Sequence, residues 1–365
     1  MPQQPVSFEV VDGRTVDALV PEWSDLVRRM GARVAARPSY ALNWYRALGR
    51  GRLAVCTVRR DGRLVAVAPL HRRNRMGVQT LRFPGHGLGT IGTFAATDRD
   101  ALRELVDGIA TSGMSLQLTH VDVADPLVEA LHTSPLWNVD LEVDEQGLTI
   151  DLAAGAGAAS LRGSRTLKTL RRLERGLVNA GTPVEVEVIR DPEHFERRWP
   201  DIVAVAAAAD EHTDRDNFCG PPFASFTKPL LETEARAGNL LVVGLVVGNR
   251  WRAHEIMFHT DDVAEMWMAR FHPDVRRHQP GQLLHRWLTD HHDELGIARF
   301  DFMVGTSEFK SHWANGGYRV GTVVATPARR RRAWVMIELA ERGSDWVRPA
   351  RQRVLDALWP AGRTV

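Results

Sequence analysis

The segment DVAEMWMARFHPDVRRHQPGQLLHRWLTDHHDELGIARFDFMV, Asp262 to Val304, decides the fold. It opens with alternation, as a strand would: Ala264, Met266, Met268 and Arg270 on one side, Glu265, Trp267 and Ala269 on the other. His272-Pro273 stops that strand, because proline has no amide hydrogen to give to a ladder. Gly281 then opens an amphipathic helix through Leu283, Leu284, Trp287 and Leu288, which Gly296 ends. ARFDFMV follows as a second buried strand with an aspartate in its middle. The loop Arg276 to Gly281 therefore lies at the carboxyl end of a strand, where open α/β sheets hold their ligands.

Working outward, LLVVGLVVGNRWRAHEIMFHT (Leu240 to Thr260) reads strand, turn, strand, and so does LAVCTVRRDGRLVAVAPLHRR (Leu53 to Arg73). Gly-Asn and Asp-Gly at the two turns accept the positive φ of tight hairpins. A helical stretch precedes each hairpin: PSYALNWYRALG before the first, PPFASFTKPLLETEARAG before the second. The order helix, hairpin, further strand occurs twice, as in a divergent duplication of one α/β unit.

Between the halves, DLAAGAGAASLRGS (Asp151 to Ser164) reads as a linker or a lead-in to a helix. The next helix, SRTLKTLRRLERGLVNAG, has Ser164 as its cap and Gly181 just past its end. Leu167, Leu170, Leu173 and Leu177 form one face; Arg165, Lys168, Arg171, Arg172 and Arg175 form the opposite one. A second basic run, ARRRR, ends at Arg332.

The 365 residues, 44% hydrophobic and 25% charged, suit a folded chain of one large or two average domains. The longest aliphatic run, Leu240 to Val247, is strand length, and the N-terminus has no signal-peptide pattern. Two cysteines, Cys56 and Cys219, supply neither a disulfide framework nor a metal cluster. A cytoplasmic protein without a membrane span is the expectation. His291-His292 with Asp293 does not suggest a metal site, because adjacent helical residues point about 100° apart.

Hairpin, strand, the loop HPDVRRHQPGQLL, helix, strand, short helix and last strands: this order resembles the GNAT superfamily of N-acyltransferases. The family loop has the form R/Q-x-x-G-x-G/A, and its amides hold the pyrophosphate of coenzyme A at a helix start. Arg276, Gly281 and Leu284 fit that pattern; Gln279 stands in place of the central glycine and Pro280 is added, a departure that implies weaker coenzyme A binding. The whole chain, with its basic helix and the segment EFKSHWANGG (Glu308 to Gly317), resembles the large tandem acetyltransferase-like proteins of bacterial polysaccharide and natural-product clusters. It is also similar to the Fem family, which moves amino acids from aminoacyl-tRNA to amines.

The resemblance implies an α/β (α+β) fold of two tandem GNAT-like units, each a mixed, mostly antiparallel sheet flanked by helices. Their expected extents are residues 1–150 and 164–330, with 151–163 as linker and 331–365 as a helical tail. It implies acyl-CoA, or aminoacyl-tRNA, as co-substrate and a small-molecule amine as acceptor, with tRNA or a carrier protein as a possible macromolecular partner. A scaffold without catalysis is a third reading, kept open by the Gln279-Pro280 loop.

On this reading Arg270, Arg276, Arg277, Gln279, Gly281 and Gln282 bind the donor, and Arg165, Lys168, Arg172 and Arg175 are free to contact phosphates. Lys310 is the expected oxyanion partner, or else an exposed cation beside Glu308. Asp301 is a proton acceptor or the structural partner of Arg299 or a neighbour, and Glu255 is a second proton acceptor. His254, Trp267, Glu308 and Trp313 are the expected substrate contacts, with core packing or structural hydrogen bonding as the alternative for the aromatic residues and the histidine.

Overall fold

The computed structural model describes residues 6–49, 51–75, 78–86, 88–178, 183–211 and 215–330. The helix stop at Gly181, the end of the ARRRR run and the 331–365 tail lie outside them.

The strands are β1 (Val6–Val11), β2 (Arg52–Arg60), β3 (Arg63–Arg75), β4 (Val78–Arg82), β5 (Ala95–Ala96), β6 (Ser115–Asp122), β7 (Trp137–Asp151), β8 (Val184–Ile189), β9 (Leu240–Val247), β10 (Arg250–Thr260), β11 (Val263–Phe271), β12 (Arg299–Val304) and β13 (Gly316–Pro327). They form one sheet in the order β1-β2-β3-β4-β6-β13-β7-β12-β11-β10-β9-β8, with β5 on β3. Only β4–β6 and β11–β12 pair in parallel; every other pair is antiparallel. The sheet reads nearly the same from either edge, as a duplicated α/β unit requires.

Both expected hairpins form, and their turns use left-handed backbone at Asp61-Gly62 and at Gly248-Asn249. Such turns match the twist of the flanking strands. The helices Pro38–Leu48 and Ala224–Arg236 form where the sequence places them, and they pack on each other on one face of the sheet, where Tyr40 meets Phe226 edge-on at 5.3 Å.

The centre of the sheet is an exchange. β7 leaves the first half of the chain and pairs with β12, while β13 runs back between β7 and β6. Gly147 in β7 makes room for this, since a side chain there would collide with the Tyr318 ring of β13.

The simple alternation read along β11 fails at one residue. Ile256 faces Met268 and Met257 faces Met266, so Trp267 is an inserted bulge residue. A bulge turns the strand and reverses the facing of the residues beyond it. Met266 consequently packs in the core beneath the helix Pro280–Asp290, and Met268 in the core on the opposite face.

Candidate functional site

β11 and β12 pair only at Val263–Arg299, Ala264–Phe300 and Glu265–Asp301; beyond those pairs they part. The bulge at Trp267 and a second irregularity in β12, where Met303 takes φ +53°, bend both strands at that point. A parallel pair that opens in this way leaves a wedge in the sheet, with unpaired backbone along its walls.

The loop after β11 is a 3-10 turn, Pro273–His278, followed by Gln279 in left-handed conformation (φ 50°, ψ 56°) and the helix Pro280–Asp290. Gln279 therefore adopts the backbone shape that glycine takes at no steric cost, and the departure from the family pattern is one of side chain, not of geometry. Pro280 at the first helical position costs no hydrogen bond, because that amide has no intrahelical partner anyway.

A groove of about 500 Å³ opens at this helix start. Arg276, Gln279, Gly281 and Gln282 line it, with Glu308, Phe309 and His312 across from them and Arg162, Thr166 and Thr169 along the basic helix Ser164–Val178. The N–H of Gly281 has no acceptor among the described residues. A free amide at a helix N-terminus, flanked by Arg162 and Arg276, favours an anion. A larger cavity of about 660 Å³ lies elsewhere, walled by the helices Val16–Arg29 and Pro38–Leu48.

Two of the expected donor residues are not in the groove. Arg270 points to the other side of the sheet, where its Nε donates to Asp210 at 2.7 Å and a terminal N–H to the Asp216 carbonyl at 3.1 Å. The bulge at Trp267 is the reason, since it turns the strand just ahead of this residue. Arg277 is exposed and its Nε donates to His278.

Glu255 lies on β10 opposite Ala269, past the point where β11 and β12 separate. It is 4% exposed and has no hydrogen-bond partner among the described residues. Burial pushes its carboxyl up to about 8, against the pull of the Lys310 and Arg270 charges.

Lys310 sits on the short helix Glu308–Trp313, capped by Ser307. Its Nζ donates to the carbonyls of Phe302 (3.0 Å), Val304 (2.9 Å) and Gly305 (3.1 Å). An ammonium group has three hydrogens, so none is left for an oxyanion. The role expected from the sequence gives way to another: Lys310 clamps the irregular end of β12. Burial lowers its pKa, while Glu255, Asp301 and Glu145 favour its charge.

Asp301 is buried and fully engaged. It accepts from Arg33 at 2.8 Å, from the Tyr318 hydroxyl at 2.9 Å and from the Met303 amide at 2.7 Å. Arg299 instead pairs with Asp151. Glu265 accepts from Arg33 at 3.2 Å and from the Val34 amide at 2.8 Å. Burial works against the Arg33 charge, yet Glu265, Tyr318 and Asp301 outweigh it and raise its pKa. Nothing in the local sequence ties Arg33 to residues more than 200 positions away; only its charge within the small-residue run GARVAARP hints at a buried partner.

Of the expected substrate contacts, Trp267 is half-buried at the bulge beside Phe218 (5.6 Å) and Phe258 (5.3 Å). Glu308 is exposed at the groove rim. Trp313 is core, with its Nε1 donating to Gln282 Oε1 at 2.8 Å. His254 is buried with Nδ1 accepting from Trp251, and burial pushes its ring down to about 3. A neutral acceptor nitrogen committed to an indole is a structural histidine. Arg165, Lys168, Arg171, Arg172 and Arg175 are exposed, opposite buried Leu167, Leu170 and Leu177, as the helical wheel requires.

Residues 164–311 match the family model described as "Acetyltransferase (GNAT) domain". That segment is a GNAT domain. Solved structures resemble the chain over nearly its whole length. FemX has a TM-score of 0.57 at 12% identity, covering 90% of this chain and 99% of its own. The C-terminal domain of a protein from Agrobacterium fabrum assigned as a lysylphosphatidylglycerol synthetase gives 0.56 at 14%, covering 88% and 95%. A conserved protein of unknown function from Bacteroides thetaiotaomicron gives 0.52 at 10%, covering 88% and 100%. At these identities the likeness is one of fold. None of the curated proteins matches the chain. No helix among its described residues is long and apolar enough to cross a membrane.

Proposed function

We propose that the chain is an N-acyltransferase that takes an acyl group from a thioester, on coenzyme A or a carrier, and passes it to an amine. The division into units 1–150 and 164–330, joined by 151–163, belongs to the same reading. The observation that carries it is Glu255: a buried carboxyl, without a hydrogen bond among the described residues, on the strand next to β11 and past the point where β11 and β12 part. Such a carboxyl is costly to bury and its pKa suits a base working near neutral pH.

In the proposed step the acceptor ammonium gives a proton to the Glu255 carboxylate. The free amine attacks the thioester carbonyl carbon, the C–N bond forms, the C–S bond breaks, and the leaving thiolate takes the second amine proton. Lys310 does not touch the substrate; it holds the end of β12 in shape and keeps a positive charge near Glu255. The experiment is thiol release from acetyl-CoA with a panel of primary amines. Glu255→Gln should cut kcat by at least 100-fold. Wild-type-like turnover in that variant would refute the assignment.

A second reading is supported by the exposed face of the helix Ser164–Val178. None of its five cations has an ion-pair partner among the described residues, and such a stripe suits the phosphates of an aminoacyl-tRNA donor. Affinity for deacylated tRNA that falls steeply with salt, and less steeply in Arg172→Ala, would favour it.

A further inference from the structure

The segment between the halves, which the sequence presents as a linker, places one residue in the donor groove. Arg162 lies just ahead of the matched segment 164–311, between the short helix Ala158–Leu161 and the basic helix Ser164–Val178. It lines the groove together with Arg276 and Gly281. Its guanidinium carbon stands 5.5 Å from the centre of the Trp313 ring, and a terminal N–H donates to the His312 carbonyl. That carbonyl belongs to the last turn of Glu308–Trp313, where a helix runs out of amides of its own. Arg162 thus caps the helix on which Lys310 sits.

The rest of the Arg162 side chain is uncommitted. Its Nε is buried and has no hydrogen-bond partner among the described residues. Glu308, the acid on this groove, keeps 89% of its side chain in solvent, beside His312. A buried N–H without an acceptor is costly, and beside a helix start that favours an anion it suits a phosphate oxygen. The short helix meets both parts of the site. Glu308, Phe309 and His312 line the groove, whereas Lys310 holds the carbonyls of Phe302, Val304 and Gly305, none of which lines it. Trp313 fastens the same helix to the groove wall through Gln282. Whatever fixes Arg162 therefore fixes this helix and, through Lys310, the irregular end of β12.

We propose that Arg162 is a positioning residue that couples the groove to the wedge: a donor phosphate oxygen on its Nε–H locks the guanidinium over Trp313, and the capped helix then stiffens the end of β12 through Lys310. This rests on the reading of the groove as the donor site. Only arginine suits the task, since a lysine keeps the charge but cannot serve a carbonyl, an indole face and a phosphate at once.

The test is hydrogen–deuterium exchange of the full chain, read over residues 302–307, with and without coenzyme A. These residues lie outside the groove, so direct contact with the ligand does not protect them. In the wild type coenzyme A should slow their exchange by about fivefold or more. At matched occupancy the slowing should be lost in Arg162→Lys and kept in Arg276→Gln, whose side chain lines the groove and is exposed. Coenzyme A bound to the wild type without slowing, or slowing retained in Arg162→Lys, overturns the proposal. Inorganic pyrophosphate and deacylated tRNA are the second and third probes. If either slows exchange through Arg162 while coenzyme A does not bind, the coupling stands and the coenzyme A reading falls. If none of the three binds, the coupling falls with the donor site.

Discussion

Glu255 is a residue kept at a cost. Its folded-state carboxyl titrates at about 8, above its unfolded value, so the folded state holds a proton that the unfolded state releases. The stability this provides is fully present below the unfolded value and is lost as pH rises through about 8. Glu255→Gln should therefore raise the melting temperature at pH 9 more than at pH 5 while abolishing most turnover. The wild-type rate should rise with pH through an apparent pKa of about 8, because a base works only when deprotonated. A flat profile across that range would count against Glu255. Lys310→Met leaves three carbonyls without their donor and should cost about 1–3 kcal/mol, with activity falling alongside. The sequence singled out both residues, but it could not distinguish their roles. Lys310 looked like a free cation because the three carbonyls that occupy it are backbone atoms, which leave no trace in side-chain identity.

At the scale of elements, the hairpins and the strand-loop-helix-strand unit were legible because each depends on local signals: positive-φ turn residues, proline stops and helical leucine spacing. The bulge at Trp267 was not, because a bulge is fixed by how two strands register against each other. That single inserted residue explains why Arg270 was misplaced. The first half of the sheet repeats this strand order with a different helix start. Its loop Phe83–Gly92 follows β4, but the next helix, Arg99–Thr111, is capped by Asp98, whose carboxylate accepts from the Ala101 amide at 2.7 Å and pairs with Arg60. A helix start already holding a carboxylate has little left for a phosphate. Titration should accordingly give one coenzyme A site per chain, and a stoichiometry of two would show that the N-terminal loop also binds.

Over the whole molecule, the two halves are joined by the exchanged strands and by buried charge. Arg37 lies between Glu234 and Thr260, and Arg33 between Glu265 and Asp301, so residues 33 and 37 tie the N-terminal half to the C-terminal one. Removing one member of a buried pair strands the other, and Arg37→Ala should destabilise the chain by roughly 3–5 kcal/mol in chemical denaturation. Four histidines, His71, His86, His254 and His285, are pushed by burial to about 4, 3, 3 and 4. Their folded values lie below the unfolded one, so the stability they support is present above about pH 6.5 and is lost as pH falls toward 4. A melting temperature that drops steadily over that interval is the expected observation. The ties made by Arg33 and Arg37 were not readable from local sequence, since their charged partners are remote along the chain.

The groove at the helix start is the proposed donor site. A side chain at Gly281 would meet only the Phe309 ring, at an ordinary 3.6 Å, so Gly281→Ala should fold as well as the wild type. The added methyl would nonetheless stand between the first-turn amide and an approaching phosphate. Calorimetric titration of coenzyme A into both proteins should therefore show binding to the wild type that weakens at least tenfold in Gly281→Ala, with the melting temperature unchanged. No binding to the wild type, or equal binding to the two, would contradict the assignment of this groove as the donor site.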